Sequence, residues 1–187
     1  MEWDRIAEVY LEVADQIFRD LKPAVERLAD MVADRLRQGG KIMLCGNGGS
    51  AADAQHFAGE MVNRFLKDRA PLAAVALSTD TSIMTSIAND YTYDQVFEKQ
   101  VQALGRAGDV LVGISTSGNA ANVCRAVQTA REKAILTIAL TGGNGGRLAG
   151  LVDEVVSVSC TDSTPRIQEG HQLIIHALCG RIEEILT

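Results

Sequence analysis

Three sets of residues have the types and spacing to do chemistry. The first is Ser115-Thr116-Ser117-Gly118-Asn119, set between an apolar run, Asp109 to Ile114, and a stretch of helical composition from Ala120 to Lys133. The first N–H groups of a helix lack intrahelical partners and sit at the positive end of its dipole, so such a loop can hold an anion. Three hydroxyls add donors, and Gly118 lets backbone approach a phosphate without a Cβ in the way. The second set is Gly46-Asn47-Gly48-Gly49, which follows the short apolar segment Lys41 to Cys45 and precedes Ser50, a residue placed to cap the next helix. Neither a nucleotide P-loop nor a GxGxxG fingerprint occurs, so the expected ligand is a phosphate on something small. Each loop would also serve as an ordinary capped turn.

The third set lies on helices. His56 and Glu60 are four apart, which puts an imidazole and a carboxylate on one helix face a turn apart, with Arg64 continuing the row. The row fits a pair aimed into a crevice at the strand ends, and it equally fits a solvated ladder of charges. Gln168, His171, Gln172 and His176 are the polar members of an otherwise apolar last helix, and the desolvation cost of several buried polar groups invites a site there. Gln168 and His176 lie two turns apart, about 80° off register, and His171 points well round from His176. The Asn89-Asp90 pair interrupts a further helix and reads either as a loop with a new N-cap or as part of a site.

The elements that must position these residues alternate between strand and helix. Apolar spacing predicts two helices over 3–38 with a break at Pro23, then strands at 41–45, 71–77, 109–114, 135–140 and 152–158. Helices are predicted from Ser78–Asp80 to Ile87 or Ala88, over 95–104 and 120–133, and from about Pro165 to the end. This is an α/β pattern with a parallel sheet, whose glycine-rich and hydroxyl-rich loops share one edge. The first two helices cannot be sheet crossovers, so they cover an end of the domain, pack on another subunit or form a hairpin of their own. The last helix is apolar on more than one side and is expected between the sheet and a second protomer.

With 187 residues, the chain fits one domain with a real core. A net charge of −6 argues against nucleic-acid or membrane-surface partners, which usually need a basic face. Cys45, Cys124, Cys160 and Cys179 lack CxxC spacing and read as reduced residues inside strands and helices of a cytosolic protein. Acids stand near the N-terminus where a signal peptide would be basic, and no apolar run reaches membrane-span length, so the expectation is a soluble cytoplasmic protein.

Taken together, GNGGSAADAQHF, the Asn89-Asp90 step, GDVLVGISTSGN, LTGGNGG and RIQEGHQLIIH resemble, across the whole chain, the sugar isomerase (SIS) fold and within it the bacterial phosphoheptose isomerases. The resemblance implies a single SIS domain over 1–187, with an N-terminal helical segment over 1–38 and an α/β core over 39–187. It also implies a five-stranded parallel sheet flanked by helices, and a homotetramer with active sites at subunit interfaces. Implied substrate contacts fall on Asn47, Gly48, Gly49, Glu60, Asn89, Asp90, Ser115, Thr116, Ser117 and Gln168. Implied zinc ligands fall on His56, Glu60, Gln168 and His176, a set suited to a borderline divalent ion although glutamine is an uncommon zinc ligand. The implied reaction takes sedoheptulose 7-phosphate to D-glycero-D-manno-heptose 7-phosphate, toward lipopolysaccharide heptose, with Glu60 as base and His176 as acid. Two positions depart from the pattern: Ala120 replaces a frequent serine, and Pro165 an acid found in some members. The main alternative is a non-enzymatic tetramer of the same fold that binds the replication initiator DnaA, similar over Ala54 to Leu111. Another is a different phosphosugar-binding or phosphosugar-isomerising protein. A scaffold has no need of a carboxylate at 60 with an imidazole at 176.

Overall fold

Val9, Val13 and Ile17 recur every four residues, and Val25, Leu28 and Val32 at three and four, so each set buries one side of a helix. The computed structural model describes residues 2–187 and gives these segments as α1 (Trp3–Gln16) and α2 (Lys22–Arg37). The break expected at Pro23 falls just before it. A single π-helical turn, Ile17–Leu21, carries the chain from α1 into α2, and Pro23 falls in the first turn of α2, where a missing N–H costs no bond.

The sheet follows from runs of apolar residues buried without alternation, the mark of strands covered on both faces. β1 (Ile42–Gly46), β3 (Val110–Ser115) and β4 (Leu136–Gly142) are buried throughout, while the edge strands β2 (Ala74–Ala76) and β5 (Glu154–Val158) are partly open. All pairings are parallel, in the order β2-β1-β3-β4-β5. The strand expected over 71–77 shortens to three residues because Pro71 has no N–H to offer a ladder and Leu72 N–H donates to the carbonyl of Met61.

Between the strands run α3 (Gly49–Val62), α4 (Thr81–Asp90), α5 (Val96–Leu104) and α6 (Ala121–Glu132), and α7 (Thr164–Leu186) closes the chain. Successive strand residues point to opposite faces. Ile42, Val110 and Ile138 therefore meet Leu28, Phe57, Ile175 and Ile182 on one side. Met43, Leu111 and Ala139 meet Phe97, Val101 and Val127 on the other. The first layer comprises α1, α2, α3 and α7, and the second is built largely from α5 and α6.

Three local expectations are corrected. Ser50 does not cap α3; it lies inside the helix and Gly48 takes the cap position, because the chain turns at Gly48 with a φ of 56°. Arg64 does not extend the His56–Glu60 row, because α3 ends at Val62. Cys160 is exposed in the loop after β5, whereas Cys45, Cys124 and Cys179 are buried, and all four are free thiols. Among the described residues no helix is long and apolar enough to cross a membrane.

The order β2-β1-β3-β4-β5 makes the chain leave β1 in one direction and β3 in the other. The loops after these two strands therefore splay apart, leaving a crevice at their carboxyl ends.

Candidate active site

That crevice is a cleft of about 350 Å³ lined by Asn47, Gly48, Gly49, Ser115, Thr116 and Gln168, with Ala120 and Thr164 completing its wall. Gly49 must be glycine to keep this shape: a Cβ there would stand 2.5 Å from the Gln168 amide nitrogen. Asn47 is fixed by a reciprocal amide pair with Asn122, at 2.9 and 2.8 Å, and its carbonyl oxygen also accepts from the Tyr93 hydroxyl at 3.2 Å. Asn122 is buried in the first turn of α6, and its Oδ1 also accepts from the N–H of Val123. Ser117 turns away from this cleft and lines an adjoining cavity of about 600 Å³ with Arg5 and Asn144, the two spaces meeting at Thr116 and Thr164.

From the cleft, α3 and α7 run side by side. Gly49 faces Gln168, Asp53 accepts a 2.7 Å bond from the Gln172 amide, and the Nε2 atoms of His56 and His176 stand 2.8 Å apart. Glu60 lies one turn further on, with a carboxylate oxygen 3.5 Å from His56 Nε2. One ligand atom each from His56, Glu60 and His176 falls within a sphere of contacts no wider than 4.8 Å. Two imidazoles and a carboxylate are a donor set that a borderline divalent ion takes, and the residues fit such an ion. The phenyl ring of Phe65 lies against His176 at 5.6 Å between centroids.

Gln168 stays at the cleft end of α7, eight residues and about 12 Å of helix rise before His176. Asn89 and Asp90 sit exposed at the end of α4, where the Asn89 amide donates to the Asp90 carboxylate at 2.9 Å, away from the cleft walls. His171 is wholly buried, its Nε2 2.9 Å from the carbonyl oxygen of Thr141 on β4, so it belongs to the core. Burial pushes its pKa down, despite that bond. Burial also pushes the Asp53 carboxyl up, opposed by the Gln172 hydrogen bond and by His56. Its second oxygen is buried without a hydrogen-bond partner among the described residues.

A sugar isomerase (SIS) domain model matches residues 7–142. The phosphoheptose isomerase of Thiobacillus denitrificans is 55% identical over 182 residues, covering 96% of this chain and 90% of the relative. The chain belongs to the phosphoheptose isomerase family. Two solved phosphoheptose isomerases share its fold over 97% of this chain and 96% of theirs: that of Neisseria gonorrhoeae at 49% identity and a TM-score of 0.89, and one from Francisella tularensis at 37% and 0.91. Ala120 puts a methyl group on the cleft wall. Three residues of this phosphoheptose isomerase fold escaped sequence reasoning. Asp53 shares a face with His56 and Glu60, and the helical period alone could have drawn it in. Asn122 and Phe65 carry no such signal, since each acts through a partner distant in sequence.

Proposed function

We propose that the protein is an aldose–ketose isomerase that converts sedoheptulose 7-phosphate to D-glycero-D-manno-heptose 7-phosphate. The convergence of His56 and Glu60 of α3 with His176 of α7, about 12 Å along α7 from an anion-suited cleft, carries this reading. Fully extended, a seven-carbon sugar phosphate spans roughly 10 Å, close to the distance from Gln168 to His176 along α7. Its phosphate would take the N–H groups of the 115–117 loop and the hydroxyls of Ser115 and Thr116, with Asn47, Gly48, Gly49 and Gln168 along the chain of hydroxyls.

Moving the carbonyl from C2 to C1 needs a base that takes a proton from C1 and an acid that returns one at C2, through a cis-enediol. Glu60 is the base and His176 the acid partner, and the remote phosphate contacts position the reacting carbons between them. The divalent ion that this site would hold on His56, Glu60 and His176 is zinc, and when bound it would supply electrophilic stabilisation of developing oxygen charge, while Gln168, about 12 Å back along α7, is left to the substrate. His176 is exposed on the described protomer. So are Trp3 and Leu11 of α1 and Phe18 of the π-helical turn after it, at 79%, 66% and 61%. Both features favour a homo-oligomer, read here as a tetramer with sites at its subunit interfaces. The reaction would feed lipopolysaccharide heptose synthesis from the cytoplasm, with no nucleic-acid or membrane partner. Purified protein incubated with sedoheptulose 7-phosphate, with and without chelator, tests this by NMR of the product. Formation of the manno-heptose phosphate that falls on chelation is expected, and unchanged substrate in both arms would overturn the reading.

A further inference from the structure

The loop that follows α3 is held by a buried ion pair that the isomerase chemistry does not use. Arg69 and Glu183 pair at 3.2 Å with side chains only 4% and 2% exposed. Arg69 also donates to the carbonyls of Glu60 at 2.8 Å, Met61 at 2.9 Å and Ala70 at 3.1 Å. It thus caps the last turn of α3 with a cation where the helix leaves carbonyls free and its dipole is negative. Glu183 accepts from the N–H groups of Phe65 at 3.1 Å and of Leu66 and Lys67 at 2.9 Å each.

We infer that this pair is a positioning device for the catalytic site, an inference that rests on the isomerase reading. One end of it, the guanidinium, grips the backbone of the residue read as the base. The other end, the carboxylate, grips the backbone of Phe65, whose ring lies against His176. Glu183 is itself seven residues after His176, two turns along the same face of α7. Both sides of the Glu60–His176 gap are therefore referred to a single rigid point. Stability alone is a weak reason for such a pair, because replacing a buried ion pair with packed apolar groups is often neutral or stabilising.

Arg69→Lys separates the two roles. A lysine can keep the charge beside Glu183, but its single nitrogen cannot reach the Glu60 and Met61 carbonyls as well. Assayed well below its unfolding midpoint, the variant is expected to lose about tenfold or more in kcat with KM for sedoheptulose 7-phosphate within about twofold. Its zinc affinity, read by competition with a chromogenic chelator, is expected to weaken by about tenfold or more. A lowered midpoint with kcat and zinc affinity unchanged would make the pair structural only and overturn the inference. Phe65→Leu keeps the ion pair and all the backbone bonds while removing the ring, and is expected to lower kcat by a smaller factor. If Arg69→Lys does not fold, an unchanged kcat and zinc affinity in folded Phe65→Leu overturns the inference instead. A wild-type protein that binds zinc without isomerising the sugar condemns the isomerase reading, and the zinc competition still decides this one. Wild type that does neither removes both.

Discussion

Glu60, the base in the reading proposed above, has a carboxylate oxygen 3.5 Å from His56 Nε2 and lies within 4.8 Å of a ring nitrogen of His176. Glu60→Gln keeps the shape and removes the basicity. We expect kcat to fall by about 10²- to 10⁴-fold, the usual worth of a positioned base. The dissociation constant for the sugar phosphate, measured by calorimetry, should stay within about threefold, because the phosphate contacts lie at the far end of the helix pair. Comparable losses in both would place Glu60 among the binding groups. Part of this was legible from spacing, since residues four apart must share a helix face. His176 was not legible in the same way: two histidines, at 171 and 176, stood on one helix, and only the packing of α7 on the sheet turns the first to Thr141 and the second to His56.

Strands β1 and β3 could be read almost to the residue because they are buried on both faces, so hydrophobicity and burial coincide along their whole length. At β2 the two separate: an apolar run longer than the strand is trimmed by its proline and by its place at the sheet edge. At the α1–α2 junction the break expected at Pro23 lies in the π-helical turn that ends two residues before it, since proline is tolerated in the first turn of the helix that follows. The α3–α7 pair is the element on which the cleft depends, and at Gly49 it leaves no room for a Cβ beside Gln168. In Gly49→Ala the new Cβ meets the end of a flexible glutamine side chain, so Gln168 swings aside at little cost. The unfolding free energy should therefore change by no more than about 1 kcal/mol, as alanine also gains helix propensity over glycine. KM for sedoheptulose 7-phosphate should rise by about tenfold, equivalent to one lost polar contact of about 1.4 kcal/mol. A variant with lowered stability and unaltered KM would mean that Gln168 only packs.

For the assembled protein, the apolar stripe of Trp3, Leu11 and Phe18 is the surface that most needs a partner, and the order of helices alone could not say whether it faced another subunit. The double variant Leu11→Glu, Phe18→Glu should shift the protein toward monomer in sedimentation, whereas the same charges on the exposed residues Asn63 and Gln102 should not. Acid stability gives a second property of the whole fold. His171 is buried neutral, with its pKa pushed below the usual imidazole value, so between that folded value and about 6.5 the unfolded chain binds a proton that the folded chain refuses. Its contribution is thus constant above pH 6.5 and declines as pH falls below it, by up to about 1.4 kcal/mol per pH unit. Glu183 and Asp109 behave differently. Burial raises both, but three backbone N–H groups and Arg69 on the first, and Lys41 and the Arg106 N–H on the second, outweigh it and hold them below the usual carboxylate range. Their stabilisation persists until pH drops through that lower range, so acid loss should come in two stages. His171→Gln removes only the first stage, since a glutamine amide can still donate toward Thr141 and does not titrate. Urea unfolding from pH 7.5 to 4.5 should show the difference between wild type and this variant holding steady above pH 6.5 and narrowing below it. A difference that stays level across the whole range would mean that His171 takes up its proton inside the folded protein, and that the space beside its Nδ1 is not closed to charge.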